Sequence, residues 1–448
     1  MSLAERKGLR LGVLIVMYVA QGIPWGFTAV TLPAYFAAHG VDKGAIGVAL
    51  AGTTLPYSFK WVVGPIIDSF TIKRFGRRKA WIVFAQTMMA LTIGAMLTVK
   101  NLGADLHLLA TLVMVHTCFN ALQDVAVDAL AVDLLDEKER GLANGLMYGA
   151  KYGGGAIGGA GLSWVIHYSS LRAALLVQVA LLLAIAVVPL LVRERDGEAV
   201  ERSEPKTAEV LRALAKVMST RSAFVCALAM LTLTLVYGTL TANSYTLFEQ
   251  VLGWSPEKVS SLSGGYGLLA GLVGSMFGGF IADKVGHKQL AMYASIAAAA
   301  GWTIFALGFS LWKVDAFVYP MSIWEGLTTA MMSTSLFALC MDLAYPPAGA
   351  SQFAMYMAFG NFATTLGYLL AGSLPASWSY RSIYFIAAVV QVCVTLLLLA
   401  IDPQQTRREL PPELPPSRSL DQRAWGAIIA LLAILVPMTI YIVHRALA

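Results

Sequence analysis

The sequence predicts an all-α polytopic membrane protein: two bundles of six helices, with an additional hydrophobic helix near the C-terminus. Three observations predict it. Of 448 residues, 58% are hydrophobic and only 13% charged, where a soluble domain carries roughly 25% charge. Apolar runs of about 20 residues, the length that crosses a bilayer, recur down the chain between short polar breaks. The largest polar break, 193–222, separates six such runs from six.

The expected spans are 11–38, 44–68, 80–99, 106–134, 141–167, 171–192, 223–249, 257–282, 289–311, 315–343, 350–374 and 381–401. The first follows Arg6, Lys7 and Arg10 and stays apolar to about Ala38. That is too long for a signal-peptide core, so it reads as an uncleaved helix. Residues 1–192 then form the first bundle and 223–401 the second. In the linker 193–222, Val210, Leu211, Leu214, Val217 and Met218 share one helical face, which suits a helix lying on the membrane surface. Segment 402–424 is Pro-rich and reads as a second linker. In 425–448, the stretch 425–443 is long enough to span.

Lys and Arg set the orientation, because they collect in cytoplasmic loops. With the N-terminus inside, only Lys43, Lys100, Arg172, Lys258, Lys313, Arg381 and Arg445 of the 32 fall in outside segments. Lys60 and Lys151 lie within spans. The net charge of +6 therefore follows membrane topology and is no footprint of nucleic acid. Cys118, Cys226, Cys340 and Cys393 all fall in apolar runs without zinc spacing, and are expected to be small buried packing residues.

The halves repeat. Gly64-x-x-x-Asp68 ends span two before RFGRRK (74–79), and Gly279-x-x-x-Asp283 ends span eight before KVGHK (284–288). Gly76 and Gly286 are 210 residues apart; Asp133-Leu134 and Asp342-Leu343 are 209 apart. Parallel six-span repeats are a transporter architecture.

These motifs resemble the signature of the major facilitator superfamily. Three stretches resemble, within it, the peptide–acetyl-CoA–drug transporter family, which contains AmpG-type muropeptide permeases. They are PYSFKWVVGPIIDSFTIKRFGRRKAW (56–81), QDVAVDALAVDLLDEKERG (123–141) and GLMYGAKYGGGAIGGAG (145–161). Lys151 stands where that family often has Arg. The resemblance implies the major facilitator fold in the inner membrane. It also implies a cytoplasmic gate of interdomain salt bridges, drawn from Asp68, Arg74, Gly76, Arg77, Arg78, Asp133, Asp283, Lys284, Gly286, Lys288 and Asp342.

The deep charges are the strongest pointer to chemistry. A charge at mid-membrane costs about 2.5–3.5 kcal/mol even on lenient scales. Asp124 and Asp128 are four apart and share a helical face with Asn120 and His116. At 1.5 Å per residue, Asp124 and Lys151 both lie roughly 15 Å from the inner side and Lys60 roughly 12 Å. Two acids and two bases at one depth can neutralise one another or bind a charged cargo. Apolar residues would pack these helices without the desolvation cost, so a charge network that couples protons is expected, with Asp124 the leading acceptor and Lys151 its partner. The second half carries Glu325 beside Trp324, and Asn361 falls opposite Lys151. Trp25, Asn120, Tyr237, Asn243, Trp324, Glu325 and Asn361 are the expected cavity residues; aromatic faces with amides suit a sugar or aromatic cargo.

The expected function is secondary active transport, by proton-coupled import of muropeptide-like sugar-peptides. A siderophore permease is the alternative in the same class, and a non-transporting sensor or scaffold the alternative from another. No Walker A pattern, nucleophile elbow or Cys/His pair supports an ATPase or an enzyme. The expected partners are a small-molecule substrate, protons and the lipid bilayer, with no cofactor, no metal and no nucleic acid, and the chain is expected to act as a monomer.

Overall fold

The computed structural model describes residues 3, 5–60, 67, 78–99, 102–134, 137–194, 207–345, 349–375 and 377–410. Its long helices fall into two sets of six, and no strand occurs among the described residues. The first set is α1 (Lys7–Ala38), α2 (Lys43–Thr54), α3 (Lys79–Ala95), α4 (Leu102–Leu134), α5 (Glu137–Ala156, continuing through Leu162–Tyr168) and α6 (Leu171–Leu190). The second is α7 (Arg221–Val251), α8 (Pro256–Ser260, continuing through Leu268–Val285), α9 (His287–Leu307), α10 (Asp315–Asp342), α11 (Gly349–Ser373) and α12 (Tyr380–Leu399).

Eight of these, α1, α3, α4, α6, α7, α8, α9 and α12, are long and apolar enough to cross a membrane. Of the rest, α5, α10 and α11 are long enough but less apolar than the sequence reading of twelve uniform spans suggests, while α2 is described only over its first part. Packing supplies the reason: α5 lies between α1 and α8, and α11 between α7 and α2. Helix surface that faces helix has less need to match hydrocarbon. Where helices face outward, Phe84, Phe277 and Leu396 are about half exposed or more. Such side chains are a liability in water and an ordinary surface in lipid.

The polar breaks supply the caps. Asp42 accepts from the amides of Gly44 and Ala45 at 2.7 and 3.2 Å to start α2. Ser170, Ser255 and Ser379 do the same for α6, α8 and α12, each satisfying an amide that a helix start leaves unpaired. Between α8 and α9 the chain turns on Gly286 alone, at φ +102°, a conformation that favours glycine.

The repeat holds at the level of atoms. Lys79 Nζ donates to the carbonyls of Leu190 and Val192 at 3.4 and 2.8 Å. Lys288, 209 residues on, donates to Leu399 and Ile401 at 2.9 and 2.7 Å. Gln86 bonds the carbonyl of Leu182, and Ser295 that of Gln391, with the same offset. In the first half a Cβ at Gly158 would overlap the Ile23 carbonyl; in the second, one at Gly367 would overlap that of Leu235. The α1–α5 and α7–α11 seams are therefore built alike, backbone against backbone.

Around the bundles, Thr207–Met218 is helical, and its Ala213, Val217 and Met218 are buried against the second half. The first residues of the Pro-rich segment pack too: Asp402 N–H donates to Ser222 Oγ at 2.9 Å and Ser222 N–H to Gln405 Oε1 at 2.8 Å. The stretch 425–443 lies outside the described residues. The cysteines depart from expectation. Cys226 and Cys340 are buried with their sulfurs 3.3 Å apart, but Cys118 and Cys393 are exposed. An apolar run buries only one face of its helix against protein; the other two thiols are on the outward face.

Candidate functional site

The first half gathers its deep charges at one point. Asp124 on α4 is 2% exposed. One carboxylate oxygen accepts from Lys60 Nζ, at the end of the turn that follows α2, and the other lies 3.5 Å from Lys151 Nζ on α5. One acid is thus shared by bases from two other helices. Asp128, one turn along α4, accepts from the hydroxyl of Tyr18 on α1. Tyr57 joins the bases from below: Lys60 Nζ lies 4.9 Å and Lys151 Nζ 5.5 Å from its ring centroid, within cation–π range. The lysines keep about a quarter of their side-chain surface open while Asp124 is closed off. The site thus offers two partly open cations over a buried anion, an arrangement in which the anion can be exchanged for another.

Glycine places Lys151. Gly154, Gly155 and Gly158 press against α1, and Gly159 meets Gly264 of α8 across the two halves; Gly153 has nothing within 4 Å. Close packing thus accounts for most of the glycine density around the lysine. Trp25 of α1 covers Gly155 and stands edge-on to Tyr152 at 6.4 Å. Asn120 Nδ2 reaches the carbonyl of Gln21 at 3.4 Å while its Oδ1 is buried without a partner. His116 is held by Thr92 at 3.0 Å and the Met89 carbonyl at 3.2 Å, so it serves the packing of α4 on α3.

The second half has a separate small recess of about 50 Å³, lined by Phe248, Trp302, Phe305, Trp324, Glu325 and Tyr384 among others. Trp302 Nε1 donates to Glu325 at 2.9 Å, and Trp324 Nε1 to the Ala297 carbonyl at 2.8 Å. Tyr237, Asn243 and Asn361 do not line this recess. Tyr237 is 42% exposed on α7; Asn243 is fully buried, donating to the Thr239 carbonyl at 2.8 Å; Asn361 accepts through its carbonyl from Thr365 at 3.0 Å.

Residues 14–355 match the family model of the Major Facilitator Superfamily. The chain belongs to that superfamily. It is 25% identical over 408 residues to the anhydromuropeptide permease of Escherichia coli (strain K12), covering 89% of this chain and 81% of that one. It is 24% identical over 409 residues to the putative transporter AmpG 4 of Rickettsia felis, covering 88% and 96%. In fold it is similar to a crystal structure of the nucleoside transporter NupG, with TM-score 0.69 and 16% identity over 87% of this chain and 99% of that chain. The protein is thus a multi-pass membrane transporter of a small molecule and no enzyme.

In this transporter the halves meet firmly at one end, the end that the Lys and Arg distribution puts outside. Thr54 of α2 and Thr365 of α11 share a hydrogen bond of 2.6 Å. Tyr245 donates to the Ala29 carbonyl at 2.6 Å, and Gln250 to those of Ala37 and Val41 at 3.3 and 2.8 Å. His167 Nδ1 lies 3.1 Å from Glu257. Nearer the middle, the ring of Tyr152 of α5 lies against Gly271 of α8. The two halves are therefore sealed at this end.

At the other end the described gate residues hold partners of their own half. His287 Nδ1 lies 2.6 Å from Asp342. Lys288 caps α12, and Lys284 lies 4.1 Å from the centroid of the Phe280 ring. The amides of Arg78 and Lys79 both donate to Glu194. Asp68, Arg74, Gly76 and Arg77 lie outside the described residues, as do the side chains of Asp133 and Asp283.

Sequence reasoning missed Tyr18 and Tyr57, which nothing marks among the chain's 17 tyrosines. It also missed Glu249 at the end of α7, naming only Glu325, besides the gate's Asp342, among the acids of the second-half spans. Glu249 is 7% exposed: the sealed outer end covers a position that would be wet at an open helix end.

Proposed function

We propose that the transporter imports muropeptide-like sugar-peptides across the inner membrane, coupled to protons, as a monomer with its N-terminus in the cytoplasm. The observation that carries this reading is the sharing of one buried carboxylate, Asp124, by Lys60 and Lys151. Protonating Asp124 removes the charge that holds both lysines. Lys151 can then accept an anionic group of the cargo, such as a peptide carboxylate. Losing the proton restores the ion pairs and expels the anion. Such an exchange makes cargo and proton each depend on the other without exposing an unpaired charge to hydrocarbon. Asp128 and Tyr18 stand one turn away as a second acceptor and its donor.

Trp302, Trp324 and Tyr384 around Glu325 carry aromatic faces of the kind on which sugar rings pack, in a recess that has to widen to admit one. The names of the relatives support the cargo class. At the cytoplasmic end, Asp68, Asp133, Asp283, Asp342 and the neighbouring bases form the gate that closes when the outer seal opens; His287 and Glu194 hold parts of it within each half in the sealed conformation.

The test uses purified transporter in proteoliposomes with an inward proton gradient. Labelled anhydromuropeptide is expected to accumulate, and a protonophore to abolish accumulation. Uptake of a ferric siderophore instead would move the cargo to the alternative class. No uptake of either and no substrate-dependent proton flux would favour a sensor or scaffold.

A further inference from the structure

Glu249 is a buried carboxylate that the charge cluster does not use. It lies in the last turn of α7, Leu247–Val251, where the two halves meet. It is 7% exposed, and both carboxylate oxygens are buried without a hydrogen-bond partner. An unpaired carboxylate in such a place is strongly disfavoured, whereas the neutral acid is tolerated.

Its surroundings offer no compensating charge among the described residues. From α8, Glu257 faces it with like charge and is itself engaged by His167 of α5 at 3.1 Å. Lys258 is turned to Asp315 at 2.6 Å and over the Trp254 ring at 3.8 Å. From the end of α1 come Tyr35, the Ala38 amide and His39, whose Nδ1 rests on the Tyr35 carbonyl at 2.8 Å. The next residue, Gln250, clasps the carbonyls of Ala37 and Val41. The contacts that seal the outer end are therefore the ones that bury Glu249.

We propose that Glu249 is a proton-binding site of the outer seal: its carboxylate takes one proton from the outer aqueous phase before the halves close over it, and returns that proton when they part. The inference deepens the proton-coupled reading but stands on a different residue. Acid on the outer side then favours the sealed conformation independently of cargo.

The experiment reads the seal directly, without substrate. Spin labels are placed at Ser169→Cys and Lys313→Cys, both exposed at the outer end on opposite halves, with Cys118 and Cys393 changed to Ser. Pulsed electron resonance then gives the share of short distances between pH 5 and 8 in the full chain in nanodiscs. The short-distance share is expected to fall as pH rises, with the closed-to-open ratio changing by up to about tenfold per pH unit for one linked proton. Glu249→Gln is expected to stay closed throughout, and Glu249→Asp to keep the response. His167→Gln is expected to keep it too, which separates the Glu249 contribution from the neighbouring ion pair. A wild-type response that survives in Glu249→Gln, or no response in the wild type, overturns the proposal. A response lost in His167→Gln and kept in Glu249→Gln assigns the switch to His167 and also overturns it. Proton-coupled uptake is scored separately in proteoliposomes, so either reading can fail while the other stands.

Discussion

Asp124 is stable where it is only because two ammonium groups reach it from different helices. Removing one partner of a buried pair costs about 3–5 kcal/mol, most of it from the charge left behind. Asp124→Asn leaves Lys60 and Lys151 facing each other across a neutral amide, and Lys151→Met removes the cation proposed to receive an anionic cargo, leaving Lys60 alone with Asp124. Each is expected to abolish uptake while the protein still reaches the membrane, as judged by membrane-fraction immunoblot beside the uptake assay. Wild-type rates in both would remove these residues from the mechanism. Lys60, Asp124 and Lys151 were legible in the sequence because charges inside apolar runs are conspicuous and helix rise fixes their depth. Tyr18 and Tyr57 were not, because a tyrosine on an apolar face carries no mark of which way its hydroxyl turns.

Whole elements explain how those residues are held. The α1–α5 seam brings Tyr18 and Lys151 together because Gly154, Gly155 and Gly158 let the two backbones touch. Gly158→Val puts a branched side chain against the Ile23 carbonyl. It is expected to destabilise by about 1–3 kcal/mol, as overpacking does, and to lower the melting temperature in detergent, while Gly153→Ala is expected to be silent. The lysine caps form a second pair. Lys79→Met and Lys288→Met each remove a charged donor from the last carbonyls of a helix, at about 0.5–1 kcal/mol. The repeat predicts similar losses of melting temperature for the two. Spans and repeat could be read from apolar run length and the recurring Gly and Asp spacing. Which helices lie against other helices could not, since hydropathy does not distinguish a helix buried in protein from a glycine-rich one in lipid; α5 and α11 are the cases in point.

For the whole molecule, the decisive fact is that two glycines meet backbone to backbone within the seal. Gly159 and Gly264 meet across the halves with room for no side chain between them. Gly264→Leu is expected to hold the halves apart there. The label pair at Ser169 and Lys313 would then report the long distance at all pH values, and uptake would stop. Short distances in that variant would show that the seal closes elsewhere. No sequence pattern announced this seal, because its partners lie 90 or more positions apart in the chain. Glu249 was hidden for the same reason: only the approach of a distant helix makes its position dry.

Four helices, α1, α5, α7 and α8, widen into π turns at Phe27–Thr31, Ile157–Gly161, Leu247–Val251 and Ser261–Gly267, all toward the sealed end. A π turn holds one residue more than its α-helical neighbours need, and helices bend where the regular ladder is interrupted. The slack therefore lies in the seal itself, since Ala29, Gly159, Gln250 and Gly264 all fall within these turns. Those outer turns can re-register while the helix below, carrying Tyr18 and Lys151, keeps its pitch, so the door can swing without disturbing the lock.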